Sequence, residues 1–512
     1  MKNAIGREIP DSILERYNYK PYAGPFATVP TGRLAGAKIA VSKPRSEKIL
    51  KSIDQAIDAS GLQDGMTISF HHHFRNGDYV LNMVVAAIAR KGIKGLTLAP
   101  SSLNDINEAI IPHIEAGVIT QIETSGARGK LGRLMTAGKL AKPLVIRSHG
   151  GRARAIEAGE LKIDVAFIGA PACDTKGNIN GVDGPSACGS MGYAMVDAAY
   201  ADKVVAITDN LKEQPLFPIS IPQTQVDFIV VVDSIGDPKG IASGALRISR
   251  DPRELVIAEY AASAIIASEY FKEGYSLQLG SGGASLAVAR FVREHMLERG
   301  ITGSFGIGGL TAPFAEMLEE GLFRTMYDTQ DFDIPSIDSL RRNPNHLEIS
   351  ASYYANPHSR GPIVNSLDVV ILSATEVDVD FNVNVITDSN GVIMGASGGH
   401  CDTAAGAAMS IVVAPLIRGR LPMVLDQVQT VVTPGETVDV IVTERGLAVN
   451  PRRSDLKAAL SAAGLPVMNI EDLQRLAHQL TGVPAAVELT DEVVGLVEYR
   501  DGTLIDVIRK PK

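Results

Sequence analysis

Hydrophobic residues change their spacing repeatedly along the chain from about residue 46 onward. Stretches with helical spacing, such as EKILKSIDQAIDAS at 47–60, alternate with short β-branched runs such as MTISF and VAFIGAP. This alternation predicts mainly parallel sheets flanked by helices, an α/β fold. The first 45 residues are rich in Pro, Gly, Lys and Arg and show little periodicity, which predicts an extended N-terminal arm.

Proline and glycine positions divide the rest of the chain. Pro215, Pro218 and Pro222 interrupt the pattern between residues 209 and 227 and predict a connection between domains. We expect a first α/β domain at 46–230 and a second at 231–512. Near the end of the chain, Asp501-Gly502 stands between two alternating runs and predicts a C-terminal β-hairpin.

Two segments of the first half have counterparts in the second half. Residues 64–98 resemble 273–307, and residues 163–181 resemble 367–391, in the same order along the chain. Gly65 lies 27 residues before Gly92, and Gly274 lies 26 residues before Gly300. The order predicts two related halves; chance similarity between two βαβ units is the alternative.

Composition and charge exclude several classes of protein. The net charge of −9 argues against a general nucleic-acid partner, because such proteins neutralise phosphates. The longest apolar runs, such as FIVVV at 228–232, are far shorter than the roughly 18 residues of a membrane span. The start of the chain lacks an apolar signal core. We therefore expect a cytoplasmic protein with neither a membrane nor a nucleic-acid partner.

Three cysteines, Cys173, Cys188 and Cys401, occur without a CxxC pair, which suits a reducing compartment. Cys401, within GGHCD, is a candidate nucleophile, and a small buried filler is the commoner role for such a residue.

Glycine-rich turns follow three predicted strands of the second half, at 279–285, 305–311 and 394–402. Backbone amides in such turns can face an oxyanion or a phosphate. None is a dinucleotide-binding fingerprint, because Ser285 and Thr311 stand where the third glycine is required. A tight strand-to-helix connection without a ligand is the alternative for any one of them.

Several long motifs together carry a family resemblance. LQLGSGGASLAVA, GITGSFGIGGLTAP and GASGGHCDTAAGA resemble the second half of family I CoA-transferases, and IDVAFIGAPACDTKGNING is similar to the matching part of their first half. HHHFRNGDYVLN, ETSGARGKLG, RSHGGRARAIEAGE and SIGDPKGIASGA resemble, more closely, the family of citrate lyase α subunits. The resemblance covers nearly the whole chain. It implies two CoA-transferase-type domains with the active site between them.

The resemblance also implies a reaction and its participants. An acetyl-carrier and citrate give a citryl-carrier and acetate. The carrier is an acyl carrier protein, the γ subunit, with a CoA-like prosthetic group, for which CoA can substitute, and a β subunit cleaves the citryl thioester. We expect a homo-oligomer within that complex. A conventional CoA-transferase for a related hydroxy acid such as citramalate, and a non-catalytic scaffold, are the alternatives.

One departure from the wider family concerns the nucleophile. Related CoA-transferases carry a nucleophilic glutamate, and the resemblance aligns Ser304 at or beside its place, with no acidic residue between Arg299 and Glu316. We therefore expect direct attack by a citrate carboxylate, through a mixed anhydride. If a covalent route is used, Glu348 and Glu376 are the candidate nucleophiles. The expected oxyanion donors are the side chain of Gln278 and the amides of Gly282, Gly283, Gly398 and Gly399.

Citrate carries three carboxylates, so its site needs several cations or donors. Side chains alternate along a strand, so His71 and His73 are expected on one side of the FHHHFR segment and His72 on the other. Arg75 follows in the turn and is expected to clamp a citrate carboxylate bidentately, while one or two of the three histidines donate to the carboxylates. No zinc motif such as HExxH occurs, and we expect no metal; a structural role for all three histidines is the alternative.

Residues 126–154 contain eight basic residues and no acidic one, which predicts a surface for an anionic carrier or, alternatively, a solvated helix face. Arg147, His149 and Arg152 are the members expected nearest to the substrate. His400 and Asp402 complete the predicted binding set. Asp402 is expected either to accept backbone amides or to orient His400.

Overall fold

The computed structural model describes residues 1–213, 215–241, 249–280 and 282–512. Two large β-sheets with helices on their faces form the body of the protein. The described strands are β1 (Ile49–Leu50), β2 (Thr67–Phe70), β3 (Leu96–Pro100), β4 (Ile119–Thr124), β5 (Leu144–Ile146), β6 (Val165–Ala170), β7 (Ala172–Asp174), β8 (Ile179–Asn180), β9 (Lys203–Thr208), β10 (Leu211–Lys212), β11 (Phe228–Val231), β12 (Leu277–Leu279), β13 (Gly303–Leu310), β14 (Phe323–Asp331), β15 (His346–Glu348), β16 (Val369–Ser373), β17 (Glu376–Asp378), β18 (Val383–Asn384), β19 (Met409–Val413), β20 (Ile417–Arg418), β21 (Leu421–Pro422), β22 (Val424–Leu425), β23 (Val440–Thr443), β24 (Gly446–Val449), β25 (Val467–Met468), β26 (Leu489–Glu498) and β27 (Leu504–Pro511).

The helices of these residue ranges are α1 (Asp11–Tyr17), α2 (Ile53–Ser60), α3 (Val80–Arg90), α4 (Ile111–Glu115), α5 (Gly129–Thr136), α6 (His149–Glu157), α7 (Gly192–Tyr200), α8 (Pro252–Ala267), α9 (Gly283–Arg299), α10 (Ala312–Glu319), α11 (Ile334–Arg342), α12 (Ala351–Ala355), α13 (His400–Gly406), α14 (Ser454–Ala462) and α15 (Ile470–Thr481). None of them is long and apolar enough to cross a membrane. The helical pattern at 47–60 begins with a strand, β1, and becomes helical only at Ile53.

The first sheet has the order β1-β11-β9-β6-β2-β3-β4-β5-β26-β27 within the described residues, and its pairs are parallel except for β26 with β27. Its central strands are apolar on both faces. Phe167 of β6 and Val205 of β9 belong to one buried cluster, whereas their neighbours Ile168 and Ala206 belong to another. Such runs are typical of a parallel sheet covered by helices on both sides.

The second sheet has the order β15-β14-β13-β12-β16-β19-β23-β24-β25, again counting described strands. It is parallel except for the pair β23 and β24. Ile371 of β16 packs into one core and its neighbour Leu372 into another, so this sheet is also buried on both faces.

Both halves follow one topology. The order β11-β9-β6-β2-β3-β4 of the first sheet corresponds to β23-β19-β16-β12-β13-β14 of the second. Each half also has a small side sheet, β10-β7-β8 and β18-β17-β22. In the loops of these side sheets, Asp174 accepts a hydrogen bond from the amide of Asn178 and Asp378 accepts one from the amide of Asn382. The prediction of two related α/β domains is confirmed.

The C-terminal hairpin is confirmed, and it extends the first sheet. β26 pairs with β5 in parallel, Leu496 opposite Val145, and β27 closes the edge in antiparallel orientation. The chain therefore returns to the first sheet after the second is complete. The division at residue 231 stays a prediction, but residues from Leu489 onward pair with strands of the first half.

The N-terminal arm lies against the antiparallel ribbon that β26 and β27 form. It contains a short helix, α1, which the sequence pattern did not predict. Tyr22 is buried and its hydroxyl donates to Glu436 (2.6 Å), and the Tyr19 hydroxyl donates to Glu498 (2.9 Å). Residues 31–46 are exposed throughout.

Candidate active site

A cleft of about 450 Å³ lies where the carboxyl ends of strands from both sheets meet. The first half contributes residues that follow β2, β3, β4 and β5, and the second half contributes residues at the ends of β12, β13, β14 and β16. Open α/β sheets bind ligands at this edge because loops and helix starts converge there. The described lining includes His72, Arg75, Asn104, Asp105, Arg128, His149, Tyr193, Gln278, Gly280, Gly309, Thr329, Gln330, Tyr354, Gly398, Gly399 and His400.

The three adjacent histidines alternate as expected of an extended segment. His72 faces the cleft, with Nδ1 2.6 Å from the Ser101 hydroxyl oxygen. His71 and His73 point away from it; their rings stack with centroids 5.8 Å apart in a small cavity beside Phe167. Nε2 of His71 lies 3.3 Å from Asp197. Of the three, His72 alone lines the described part of the cleft.

Two arginines face the cleft without a carboxylate partner. Arg75 and Arg128 are partly buried, and neither has an Asp or Glu oxygen within 4.0 Å among the described residues. Arg75 has a left-handed backbone (φ 51°), and its guanidinium lies 5.5 Å from the Phe332 ring centroid. Burial and the nearby Arg128 lower the pKa of Arg75 to about 10, so it is still protonated at neutral pH. Burial also lowers the pKa of Arg128, and the nearby Asp105 partly offsets that effect. Both side chains are therefore cations without a directly paired carboxylate in the described residues.

Arg147 and Arg152, in contrast, are neutralised inside the first half and do not line the described cleft. Arg147 pairs with Glu123 and with Glu498 (2.9 Å), and these carboxylates raise its pKa despite burial. Arg152 forms a bidentate pair with Asp197 at 2.7 and 2.8 Å. The expectation that both lie nearest to the substrate stays a prediction, although these carboxylates already compensate the charge of each arginine.

His149 does face the cleft, at the start of α6. Its ring lies 5.7 Å from that of His72 and 4.5 Å from that of Tyr193, measured between centroids. Burial and nearby arginines lower the pKa of His149 to about 3, and burial also lowers that of His72 well below its usual value. Both rings are therefore neutral at physiological pH, so each offers one N–H donor rather than a charge.

The second half contributes Gln278 and a glycine turn. Gln278 Nε2 donates to the Tyr354 hydroxyl (2.8 Å), while its Oε1 has no hydrogen-bond partner among the described residues. Gly308 (φ 115°) lies against it; a Cβ there would be 3.0 Å from the Gln278 amide. Gly398 and Gly399 line the cleft, and the Gly398 carbonyl accepts from the His149 amide at 2.8 Å, which joins the two halves.

Gly282 and Gly283 lie at the start of α9 and are not among the described lining residues. Ser281, in the same turn, is outside the described residues, as is the end of the SIGDPKGIASGA motif from residue 242 onward. Gly280 is the residue of this turn that lines the cleft.

His400 and Asp402 have separate roles. His400 lines the cleft, with Nδ1 2.6 Å from the Thr433 hydroxyl and Nε2 3.2 Å from the Ser373 carbonyl, and burial lowers its pKa to about 4. Asp402 is buried outside the described lining and accepts from the Ser148 hydroxyl (2.8 Å) and the Gly150 amide (2.9 Å). Asp402 thus fixes the start of α6 in the other half and makes no described contact with His400.

Ser304 does not mark the place of a nucleophile in this cleft. Its amide and hydroxyl donate to the Tyr275 carbonyl at 2.7 and 3.2 Å, near the amino end of β13. The carboxyl end of the same strand reaches the cleft at Gly309. Among the described lining residues the one carboxylate is Asp105, whose side chain is exposed.

The other candidate nucleophiles lie outside the described cleft lining; Glu376 and Cys401 are buried, and Glu348 is partly buried. Glu376 accepts from Asn384 (2.9 Å) and Glu348 accepts from the Met191 amide (2.5 Å). Burial raises the pKa of the Cys401 thiol to about 12, which leaves it protonated. Sequence reasoning did not single out Asn104, Tyr193 and Gln330 as cleft residues, and it treated Arg128 as one member of a basic run. Arg128 follows β4 within SGARGK, and its position just after a strand could have indicated that it reaches the cleft.

Comparisons with known proteins agree with this arrangement. A family model described as "Citrate lyase, alpha subunit" matches residues 46–511. The citrate lyase alpha chain of Klebsiella pneumoniae is 55% identical over 492 residues, which are 96% of each chain. That of Escherichia coli is 53% identical over 470 residues, 92% of each chain.

Solved structures give the same result. A Streptococcus mutans structure, described as the alpha subunit of citrate lyase in complex with citrate, matches with a TM-score of 0.97 and 52% identity, covering 100% of both chains. A Pseudomonas malonate decarboxylase hetero-tetramer in complex with malonate matches with a TM-score of 0.63 and 15% identity over 86% of this chain and 88% of that one, which indicates a shared fold.

Two related α/β halves that share a cleft at the ends of their parallel strands define the fold class of this protein. The relatives at 53–55% identity, which cover more than nine-tenths of the chain, identify the family within that fold class. The chain belongs to the family of citrate lyase alpha subunits.

Proposed function

We propose that this chain exchanges the acyl group on a thiol carrier, so that an acetyl thioester and citrate give a citryl thioester and acetate. Its family is that of the transferase subunit of citrate lyase. The observation that carries the proposal is the pair of cleft arginines, Arg75 and Arg128, which have no carboxylate partner in the described part of the chain. A tricarboxylate supplies the anions that these side chains need.

Citrate is proposed to lie between the two arginines and the neutral histidines. Arg75 and Arg128 compensate charge, while one N–H each from His72 and His149 donates to carboxylate or hydroxyl oxygens. His400 lines the opposite side of the cleft. The Streptococcus mutans relative, whose structure is in complex with citrate, supports the choice of substrate.

The proposed chemistry is a direct exchange through a mixed anhydride. A carboxylate oxygen of citrate attacks the acetyl carbonyl carbon, and the carrier thiolate leaves. The thiolate then attacks the citryl carbonyl of the anhydride, which forms the citryl thioester and releases acetate that carries one oxygen from citrate. No protein atom is acylated. The exposed position of Asp105, the one carboxylate of the described lining, supports this route.

The protein is proposed to stabilise the oxyanion of each tetrahedral state. Gln278, positioned by Tyr354, and the amides of Gly398 and Gly399, which line the cleft, are the proposed donors. Preorganised donors of this kind contribute roughly 3–4 kcal/mol each to lowering an acyl-transfer barrier. Gly282 and Gly283 stay predicted donors.

The thiol carrier is proposed to be the CoA-like prosthetic group of an acyl carrier protein, for which CoA substitutes in vitro. A β subunit of the same complex would then cleave the citryl thioester. The chemistry of the product supports a partner of this kind, because a citryl thioester accumulates unless another active site consumes it.

A single-turnover experiment tests the route. Purified chain in excess over acetyl-CoA is mixed with ¹⁸O-labelled citrate, and the acetate is analysed by mass spectrometry. The direct route transfers one ¹⁸O to each acetate. A protein carboxylate that forms a covalent intermediate would instead give its own ¹⁶O to the acetate, which would refute the mixed-anhydride route. Faster turnover with citramalate than with citrate would refute the choice of substrate.

A further inference from the structure

Three buried side chains in the second half converge on one point outside the cleft. Asp328 and Asp331 lie at the end of β14, and His346 begins the neighbouring strand β15. Asp328 and Asp331 are 0% exposed and His346 is 4% exposed. One oxygen of each aspartate and one ring nitrogen of His346 all lie within 4.8 Å of one another.

One polar atom of each of these side chains already has a hydrogen-bond partner. Asp328 Oδ1 accepts from the Gln330 amide (2.8 Å), and Asp331 Oδ2 accepts from the Ser190 amide (2.9 Å). Nδ1 of His346 is 3.1 Å from the Ser339 hydroxyl oxygen. These contacts fix the orientation of each group, as second-shell hydrogen bonds do around bound metals.

The inner atoms are the ones left over. Asp328 Oδ2, Asp331 Oδ1 and His346 Nε2 receive no hydrogen bond from an N–H or O–H group of the described residues. Nε2 of His346 is 3.4 Å from Asp328 Oδ2, too long for a good hydrogen bond. Buried polar atoms without partners are costly, so three that face one point indicate a common ligand.

A β-bulge brings the two aspartates to the same side. In a regular strand, residues three apart point to opposite faces. The register of β13 with β14 shifts between Gly308 and Gly309, because Thr329 of β14 has no partner in β13. This extra residue lets Asp328 and Asp331 point to the same face of the sheet. The two residues between the aspartates, Thr329 and Gln330, line the cleft.

We propose that Asp328, Asp331 and His346 bind one divalent transition-metal ion, of the kind that Zn²⁺ or Mn²⁺ represents. Two carboxylate oxygens and an imidazole nitrogen suit such borderline metals better than Mg²⁺ or Ca²⁺, which prefer oxygen ligands alone. Ligand atoms about 2.1 Å from a tetrahedral metal lie roughly 3.4 Å apart, which agrees with the His346 to Asp328 distance.

The site positions the cleft without touching the substrate. The ion fixes the bulge that carries Thr329 and Gln330, and Gln330 Nε2 donates to the His72 carbonyl (3.0 Å). Through the Ser190 amide on Asp331, the same ion ties the second half to the first. The three ligands are spread over 19 residues in the pattern D-x2-D-x14-H, which matches no short metal motif.

The competing explanation is a proton shared between the two aspartates. Metal analysis distinguishes a bound ion from a shared proton. The full-length chain, purified without chelator and with any tag removed, is analysed by inductively coupled plasma mass spectrometry. We expect about one Zn, Mn, Fe, Co or Ni ion per chain. His346→Gln should lose that metal, whereas His295→Gln, at a partly exposed surface histidine 3.0 Å from Glu298, should retain it.

A second measurement needs no variant. A strong chelator should lower the thermal unfolding midpoint of the native chain by several degrees, and added Zn²⁺ or Mn²⁺ should restore it. Co²⁺ added to the chelated protein should give ligand-field bands of a mixed nitrogen and oxygen site. A metal-free chain that neither binds Co²⁺ nor gains thermal stability with Zn²⁺ or Mn²⁺ would overturn the proposal in favour of the shared proton.

Discussion

At the residue scale, the arginines of this chain divide by whether a carboxylate reaches them. Arg147, Arg152 and Arg154 have buried acidic partners, whereas Arg75 and Arg128 have none within 4.0 Å among the described residues. A buried cation without an anion is unfavourable in the free protein. An anionic ligand would therefore be favourable beside Arg75 and Arg128. It would bring no such gain beside Arg147, Arg152 and Arg154, because carboxylates already pair with them.

Arg75→Lys tests this distinction. Lysine retains the charge but loses the planar fork that holds a carboxylate bidentately. Hydrogen bonds to charged groups contribute about 1.5–3 kcal/mol, so we expect the KM for citrate to rise roughly 10- to 100-fold while the KM for acetyl-CoA changes less than about twofold. Steady-state kinetics with each substrate varied in turn measures both.

Arg33→Lys, at an exposed position of the arm, is the control and should leave both constants unchanged. An unaltered citrate KM in Arg75→Lys would mean that Arg75 does not contact citrate.

At the element scale, the segment between β2 and α3 combines a cleft residue with a buried acid. Asp78 precedes α3 and its carboxylate accepts from the Val80 amide (3.1 Å). Burial raises the pKa of Asp78 to about 7. The unfolded chain releases this proton near the ordinary aspartate value of about 4, so the folded state binds the proton more tightly over the window from about pH 4 to 7. The contribution of Asp78 to stability is therefore complete below pH 4 and is lost as the pH rises towards 7.

Asp78→Asn removes this titration and retains the side-chain oxygen that caps α3. We expect the unfolding midpoint of the variant, relative to the native chain, to rise by roughly 1–4 °C between pH 5 and pH 8. Differential scanning calorimetry at the two pH values measures the change. Asp58→Asn, at an exposed pair with Lys91, should show no such shift. Parallel pH profiles for Asp78→Asn and the native chain would contradict the raised pKa.

At the scale of the whole molecule, the end of the chain completes the first sheet. Glu498 of β26 is 3% exposed and pairs with Arg147 (2.9 Å) and Arg154 (2.8 Å), both from the first half. The first half of the chain is thus an incomplete folding unit without the ribbon, because its edge strand β5 and two buried arginines need residues after 489.

Glu498→Gln should destabilise the protein strongly, because it leaves two buried cations with reduced compensation. Breaking a buried ion pair costs about 3–5 kcal/mol, which corresponds to a fall of roughly 3–5 °C in the unfolding midpoint of a chain of this size. Thermal unfolding followed by circular dichroism measures it.

Glu492→Gln, on the same strand but in an exposed pair with Lys510 (3.1 Å), is the matched control and should change the midpoint by less than about 1 °C. Equal effects of the two substitutions would show that the ribbon is not anchored by Glu498.

The sequence by itself determined the features that depend on local spacing. Alternation of apolar and polar residues predicted the α/β halves, the echo between residues 163–181 and 367–391 predicted their kinship, and Asp501-Gly502 predicted the hairpin. The period of two along a strand also predicted that His72 would face away from its two neighbours. These features are readable because each is determined by residues close together in the chain.

Only the tertiary structure decided which of the described arginines have a carboxylate partner and which sheet the last strands join. Glu498 lies 351 residues after Arg147, and no local pattern links them. The parallel pairing of β26 with β5, the position of Ser304 at the far end of β13, and the convergence of Asp328, Asp331 and His346 depend in the same way on contacts between distant elements. Charge compensation is a property of three-dimensional neighbours, and that is why the sequence could name the arginines but could not separate those with a buried carboxylate partner from those without one.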